Sequence, residues 1–138
     1  MPVFSPHQEH ALAAVSAWLK EKPSGSRAIF RLFGYAGTGK TTLARHIADS
    51  ADGKVLFAAF TGKAAQVMRN KGCYGASTIH SLIYRARETA DDIPSFELWD
   101  EAPASKAKLI IIDECSMVDG ELGRDLMSFG VPVLVLGD

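Results

Sequence analysis

The sequence predicts an α/β sandwich: a mainly parallel sheet with helices on both faces, organised around a P-loop. Three observations carry that expectation. Gly34-Tyr35-Ala36-Gly37-Thr38-Gly39-Lys40-Thr41 fits G-x-x-x-x-G-K-[ST], a loop that cradles phosphates. Residues 109–112 are apolar without a break and 131–136 form a second apolar run. Runs that do not alternate belong to strands buried on both faces. Helical patterns separate the strands, as a parallel sheet requires.

In chain order, Ser5 is placed to cap a first helix, with Pro6 in its first turn and Gln8 completing a capping box. Leu12, Val15 and Leu19, with Trp18 beside them, form its apolar stripe, which ends before Pro23. Residues 28–33 read as a strand entering the glycine loop. Residues 41–50, with Leu43, Ala44, Ile47 and Ala48 on one face, read as the helix leaving it. Asp52-Gly53 turns into a second strand over 54–60. Thr61-Gly62 caps a third helix with Ala64, Ala65 and Met68 facing inward, and 77–84 reads as a short helix after the glycines at 72 and 75. Residues 85–107 break the pattern, with two prolines and six acids between Glu88 and Glu101 without a base among them. They predict an insertion, either a surface loop or a small hairpin.

The glycine loop has a mechanical basis. Gly34, Gly37 and Gly39 permit backbone angles that let successive N–H groups converge on a polyphosphate. Lys40 supplies a compact cation for the β- and γ-phosphates, and the Thr41 hydroxyl is a candidate Mg²⁺ ligand. Ala36, Thr38 and Thr42 complete the candidate nucleotide contacts. At the other end of the chemistry, the apolar run 109–112 delivers Asp113-Glu114. A carboxylate at such a strand end is the Walker B arrangement that holds Mg²⁺. Glu114 next to it is placed to orient and activate water for hydrolysis, a role that a phosphotransferase would not need.

The length of 138 residues, with 47% hydrophobic and 22% charged, suits one globular domain with a real core. No apolar run reaches membrane-spanning length, and the N-terminus has no basic-then-apolar signal pattern. Cys73 and Cys115 stand far apart and in no ligand-spaced cluster, so a reduced, cytoplasmic setting is the expectation. Charge is divided unevenly. Residues 1–87 hold twelve Lys/Arg against four Asp/Glu, and 88–138 hold three against twelve. The basic first part suits phosphates and a nucleic-acid backbone, although basic helix residues are commonly a solvated face.

Gln8, the P-loop, Phe60-Thr61-Gly62-Lys63-Ala64-Ala65, Thr78-Ile79-His80, Asp113-Glu114-Cys115-Ser116-Met117-Val118 and Gly137-Asp138 occur in that order. Together they resemble the first, RecA-like motor domain of superfamily-1 DNA helicases, in the RecD-like branch that moves 5′→3′. The resemblance covers nearly the whole chain apart from 85–107. It implies ATP and Mg²⁺ as cofactors, single-stranded DNA as partner and a monomer. It implies that Gln8 reads adenine, that Asp138 belongs to the nucleotide site, and that Lys40 and Glu114 are catalytic. Thr61, Gly62, Lys63, Thr78 and His80 would contact single-stranded DNA, residue types that suit sequence-blind binding. For His80, burial as a hydrogen-bonded core histidine is the alternative. The resemblance also implies that strand 131–136 inserts between the P-loop strand and the Walker B strand.

There are departures from the family. Phe60 stands where the family has Pro, and the segment that carries a strand-separating pin in similar helicases is short and acidic here, with Phe96 or Trp99 as candidate tip. The chain stops at Gly137-Asp138, where the family continues with a γ-phosphate-sensing Gln and a second motor domain. That implies a partial motor domain, with weak or no turnover alone. Two other functions fit the residues: a non-catalytic nucleotide-dependent binding module, and a small P-loop phosphotransferase.

Overall fold

A computed structural model describes residues 6–21, 28–32, 38–51, 53–87, 95–98, 102–113 and 120–136. The helices are α1 (Pro6–Lys20), α2 (Thr38–Ser50), α3 (Gly62–Asn70), α4 (Ile79–Ile83) and α5 (Gly120–Met127). The strands are β1 (Ile29–Leu32), β2 (Val55–Ala59), β3 (Ser77–Thr78), β4 (Tyr84–Arg87), β5 (Ser95–Leu98), β6 (Leu109–Asp113) and β7 (Val133–Leu136). Five strands form a parallel sheet in the order β1-β7-β6-β2-β3. β7 therefore lies between β1 and β6, as the resemblance implies.

The unbroken apolar runs are explained by what covers them. Every residue of β7 and the first four of β6 are buried. Side chains alternate across a strand, so the two faces feed two cores. On one face Phe57, Leu109, Ile111, Leu134 and Leu136 pack with Ala11 and Val15 of α1, Leu43 and Ile47 of α2, and Ala65 and Met68 of α3. On the other, Ala58, Ile110, Ile112, Val133 and Val135 pack with Ile79, Leu82 and Ile83 of α4 and Leu122 and Leu126 of α5. Full burial of each large side chain contributes about 1.5–3 kcal/mol. The result is the expected three-layer sandwich, with α1–α3 above the sheet and α4–α5 below.

Sequence and structure differ at three places. Ser77 and Thr78 are not helical; they form β3 at the sheet edge, with Ala58 opposite Ser77 and Ala59 opposite Thr78. The reason is local. Thr78 is the N-cap of α4, its hydroxyl accepts from the Ser81 N–H at 3.3 Å, and a cap residue needs the extended backbone it shows (φ −74°, ψ 152°). The second difference is α5, which no sequence expectation covers although Leu122 and Leu126 stand at the i, i+4 spacing of one helix face. The third is Phe96, in the region after α4 where the sequence allows a surface loop or a small hairpin. There β4 and β5 pair antiparallel, Tyr84 opposite Leu98 and Arg87 opposite Ser95. Phe96 lies within β5 opposite Ala86, so it is not the tip; Trp99 and residues 88–94 are outside the described residues.

Ser5, the expected cap of α1, and Cys115 are outside the described residues. Cys73 is a free, buried thiol, and burial pushes its pKa up from the ordinary 9.0. Among the described residues, no helix is long and apolar enough to cross a membrane.

Candidate functional site

In a parallel sheet all strands end on the same side, and residues leaving those ends form the crevice where α/β proteins bind ligands. Strand register shows which residues meet there. Leu32, the last residue of β1, pairs with Leu136, and Leu136 pairs with Asp113. Asp113 thus stands level with the end of the P-loop strand and two strands away, about 10 Å at roughly 4.8 Å per strand. Ala58 pairs with Ile112, and Ala59 one residue on pairs with Thr78. Thr61 and Thr78 therefore leave the same sheet end, one and two strands beyond Asp113.

Beside β1, α2 starts at Thr38 and runs for 13 residues. The first N–H groups of a helix have no partner within it, and with the helix dipole they favour an anion. Thr38, Gly39, Lys40 and Thr41 form the first turn of its backbone. Gly34, Ala36, Gly37, Glu114 and Asp138 are outside the described residues. Thr42 is half-buried one residue further along α2, and Gln8 sits half-exposed in the first turn of α1, which packs against α2 and β1. Asp113 is half-buried with its Oδ1 enclosed by protein. Among the described residues no three His, Cys, Asp or Glu side chains gather as a metal cage. A hydroxyl and one carboxylate at a phosphate site are the donor set that Mg²⁺ takes, since it keeps several waters and is shared with the substrate's phosphates. The hollow of about 430 Å³ between Leu12, Leu19, Ile47 and Lys108 is a separate feature; it lies by Ser50 and Ala51 at the far end of α2.

Across the same sheet end, α3 and α4 start from the neighbouring strands β2 and β3. Thr61 caps α3 with extended backbone (φ −122°, ψ 157°), and its Oγ1 accepts from the Ala64 N–H at 3.1 Å. Thr78 caps α4 in the same manner, and the Ser81 hydroxyl donates back to the Thr78 carbonyl at 2.8 Å. Thr61, Gly62, Lys63 and His80 are exposed and Thr78 is half-buried. The exposure of His80 removes the core-histidine alternative. A Cβ built on Gly62 meets nothing within 4 Å, so nothing inside the protein demands glycine there.

Two residues that sequence reasoning leaves out join this end. The Tyr84 ring lies against His80, centroids 5.5 Å apart and planes at 41°. The Tyr84 hydroxyl donates to Oδ2 of Asp125 on α5. No local pattern announces a pair 41 residues apart.

Comparison with known proteins agrees with this fold. The family model described as "AAA domain" matches residues 5–138. The ATP-dependent DNA helicase dda of Enterobacteria phage T4 is 32% identical over 138 residues, covering 95% of this chain and 30% of that protein. Among solved structures, the Pif1 helicase from Bacteroides in complex with ADP-AlF3 and single-stranded DNA superposes with a TM-score of 0.66 at 25% identity, over 100% of this chain and 33% of that one. Bacteroides Pif1 with ADP-AlF4 gives 0.64 at 25% identity, again over 100% of this chain and 33% of that one. The chain thus spans about a third of the length of these relatives. It belongs to the AAA domain family and carries the P-loop motor-domain fold of DNA helicases.

Proposed function

We propose that this chain is the ATP-binding first motor domain of a DNA helicase, coupling ATP hydrolysis to movement along single-stranded DNA when joined to a second motor domain. Residues 1–138 act as one motor unit, with 85–107 as an insertion that includes the β4–β5 pairing. The observation that supports this most is the sheet order. With β7 between β1 and β6, the P-loop strand, the Asp113 carboxylate and the capped starts of α3 and α4 share one sheet end.

Each residue then has a physical role. The amides of 34–42 and the Lys40 ammonium hold the polyphosphate, and Gln8 pairs with the adenine edge through its amide donor and acceptor. Thr41 and Asp113 would hold Mg²⁺, which would neutralise charge on the phosphates. Glu114 takes a proton from the attacking water and orients it. Thr61, Gly62, Lys63, Thr78 and His80 contact phosphates and sugars without reading sequence.

Steady-state phosphate release, measured with and without single-stranded DNA, tests the reading. DNA-stimulated release supports it. Nucleotide binding with no release under either condition, together with nucleotide-dependent capture of a partner, would instead indicate a binding module. Transfer of phosphate to a small acceptor would indicate a phosphotransferase.

A further inference from the structure

We propose that Tyr84 and Asp125 are positioning residues that hold the His80 ring in the path of single-stranded DNA. This inference rests on reading Thr61–Lys63 and Thr78–His80 as the DNA surface. α4 has only five residues, and a helix that short has little stability of its own. Its buried side, Ile79, Leu82 and Ile83, anchors it in the lower core. His80 points the other way, exposed, and the helix itself does not fix the rotamer of an exposed ring.

Tyr84 supplies what the helix lacks. Its backbone N–H donates to the His80 carbonyl, and its ring lies 5.5 Å from the His80 ring at a tilt of 41°. That is within the range of favourable aromatic pairing. The phenol in turn is held at its far end, where the hydroxyl donates to Asp125 Oδ2 across the α4–α5 contact. A hydrogen bond to a carboxylate is charge-assisted and stronger than a neutral one. The order of support is therefore α5, Asp125, Tyr84, His80. Tyr84 and Asp125 are both half-buried, so they act behind the surface and not as DNA contacts.

A ring fixed before binding loses less rotamer entropy when a base or sugar packs on it. Removing the tie should therefore weaken DNA binding through His80 alone. The test is fluorescence anisotropy at low salt with a labelled mixed-sequence oligonucleotide, on wild type, Tyr84→Phe, Asp125→Ala, His80→Ala and the two double variants with His80→Ala. Tyr84→Phe keeps the ring and removes one hydrogen bond, which should weaken binding about three- to tenfold. Asp125→Ala should do the same. In the His80→Ala background neither should weaken binding further, because a tie that acts through His80 has nothing left to position. A support that was merely structural would lower affinity equally in both backgrounds. Circular dichroism melts accompany each variant, and if Asp125→Ala unfolds, Tyr84→Phe with and without His80→Ala decides alone. Undiminished binding by Tyr84→Phe, or equal losses with and without His80, overturns the inference. Absence of DNA binding by the wild type overturns the DNA-surface reading instead.

Discussion

Thr61 caps α3 and stands on the proposed DNA surface, and one pair of substitutions tests both. It is the N-cap of the nine-residue α3, with its Oγ1 taking the Ala64 N–H at 3.1 Å and its carbonyl taking the Ala65 N–H at 3.0 Å. Thr61→Ala removes only the first of these bonds. Loss of a Ser/Thr cap typically costs about 0.5–2 kcal/mol, and at an exposed site, where water takes over the freed N–H, we expect about 1 kcal/mol. At about 2.1 cal/mol/K of unfolding entropy per residue, that lowers the melting temperature of a chain of 138 residues by about 3–4 °C. Thr61→Ser retains the oxygen and should melt within about 1 °C of wild type. Thermal denaturation followed by circular dichroism resolves the difference. An Ala variant as stable as wild type, or a Ser variant that loses as much as Ala, would refute the capping argument. The same pair tests the contact with DNA. If the hydroxyl also reaches the strand, Ser preserves binding and Ala weakens it.

Three other outcomes follow from the site. Lys40→Ala removes the one compact cation of the phosphate loop and should abolish the thermal stabilisation by Mg-ATP analogues; an undiminished shift would locate the ligand elsewhere. Glu114→Gln is nearly isosteric and removes only basicity, so in a form of the chain that turns over ATP it should keep binding and lose about 10²–10⁴-fold in rate. Hydrolysis near the wild-type rate would exclude Glu114 as the base. Lys63 is exposed in the first turn of α3, so Lys63→Ala should weaken binding equally for any sequence. It should flatten the slope of log affinity against log salt by about 0.7–1, and an unchanged slope would remove Lys63 from the DNA path.

Much of this is legible in the sequence because it is encoded locally or in fixed spacing. The unbroken apolar runs at 109–112 and 131–136 announce strands covered on both faces, and both strands are buried as expected. Leu43, Ala44 and Ile47 announce the buried face of α2, and Thr61 announces the cap of α3. The placing of β7 between β1 and β6 comes from the order of motifs and not from any property of residues 131–136. What is not legible depends on partners distant in sequence. Ser77 and Thr78 carry no apolar signal, and they are strand because Ala58 and Ala59 offer them a free edge. The Tyr84–Asp125 tie exists only because α4 and α5 share the lower face. For the P-loop residues 34–37, Glu114 and Asp138, the motif remains the argument, since they lie outside the described residues.

One measurement reaches the central claim, that nucleotide and single-stranded DNA bind the same sheet end of this chain a few strands apart. It is a crystal structure of the protein with Mg²⁺, ADP-AlF4 and a short single-stranded oligonucleotide. The phosphates should lie at the start of α2 with Mg²⁺ between Thr41 and Asp113, and the strand should cross the starts of α3 and α4 beside Lys63 and His80. A nucleotide at the start of α2 with DNA seated elsewhere, such as along the hollow by Ser50 and Lys108, would contradict it.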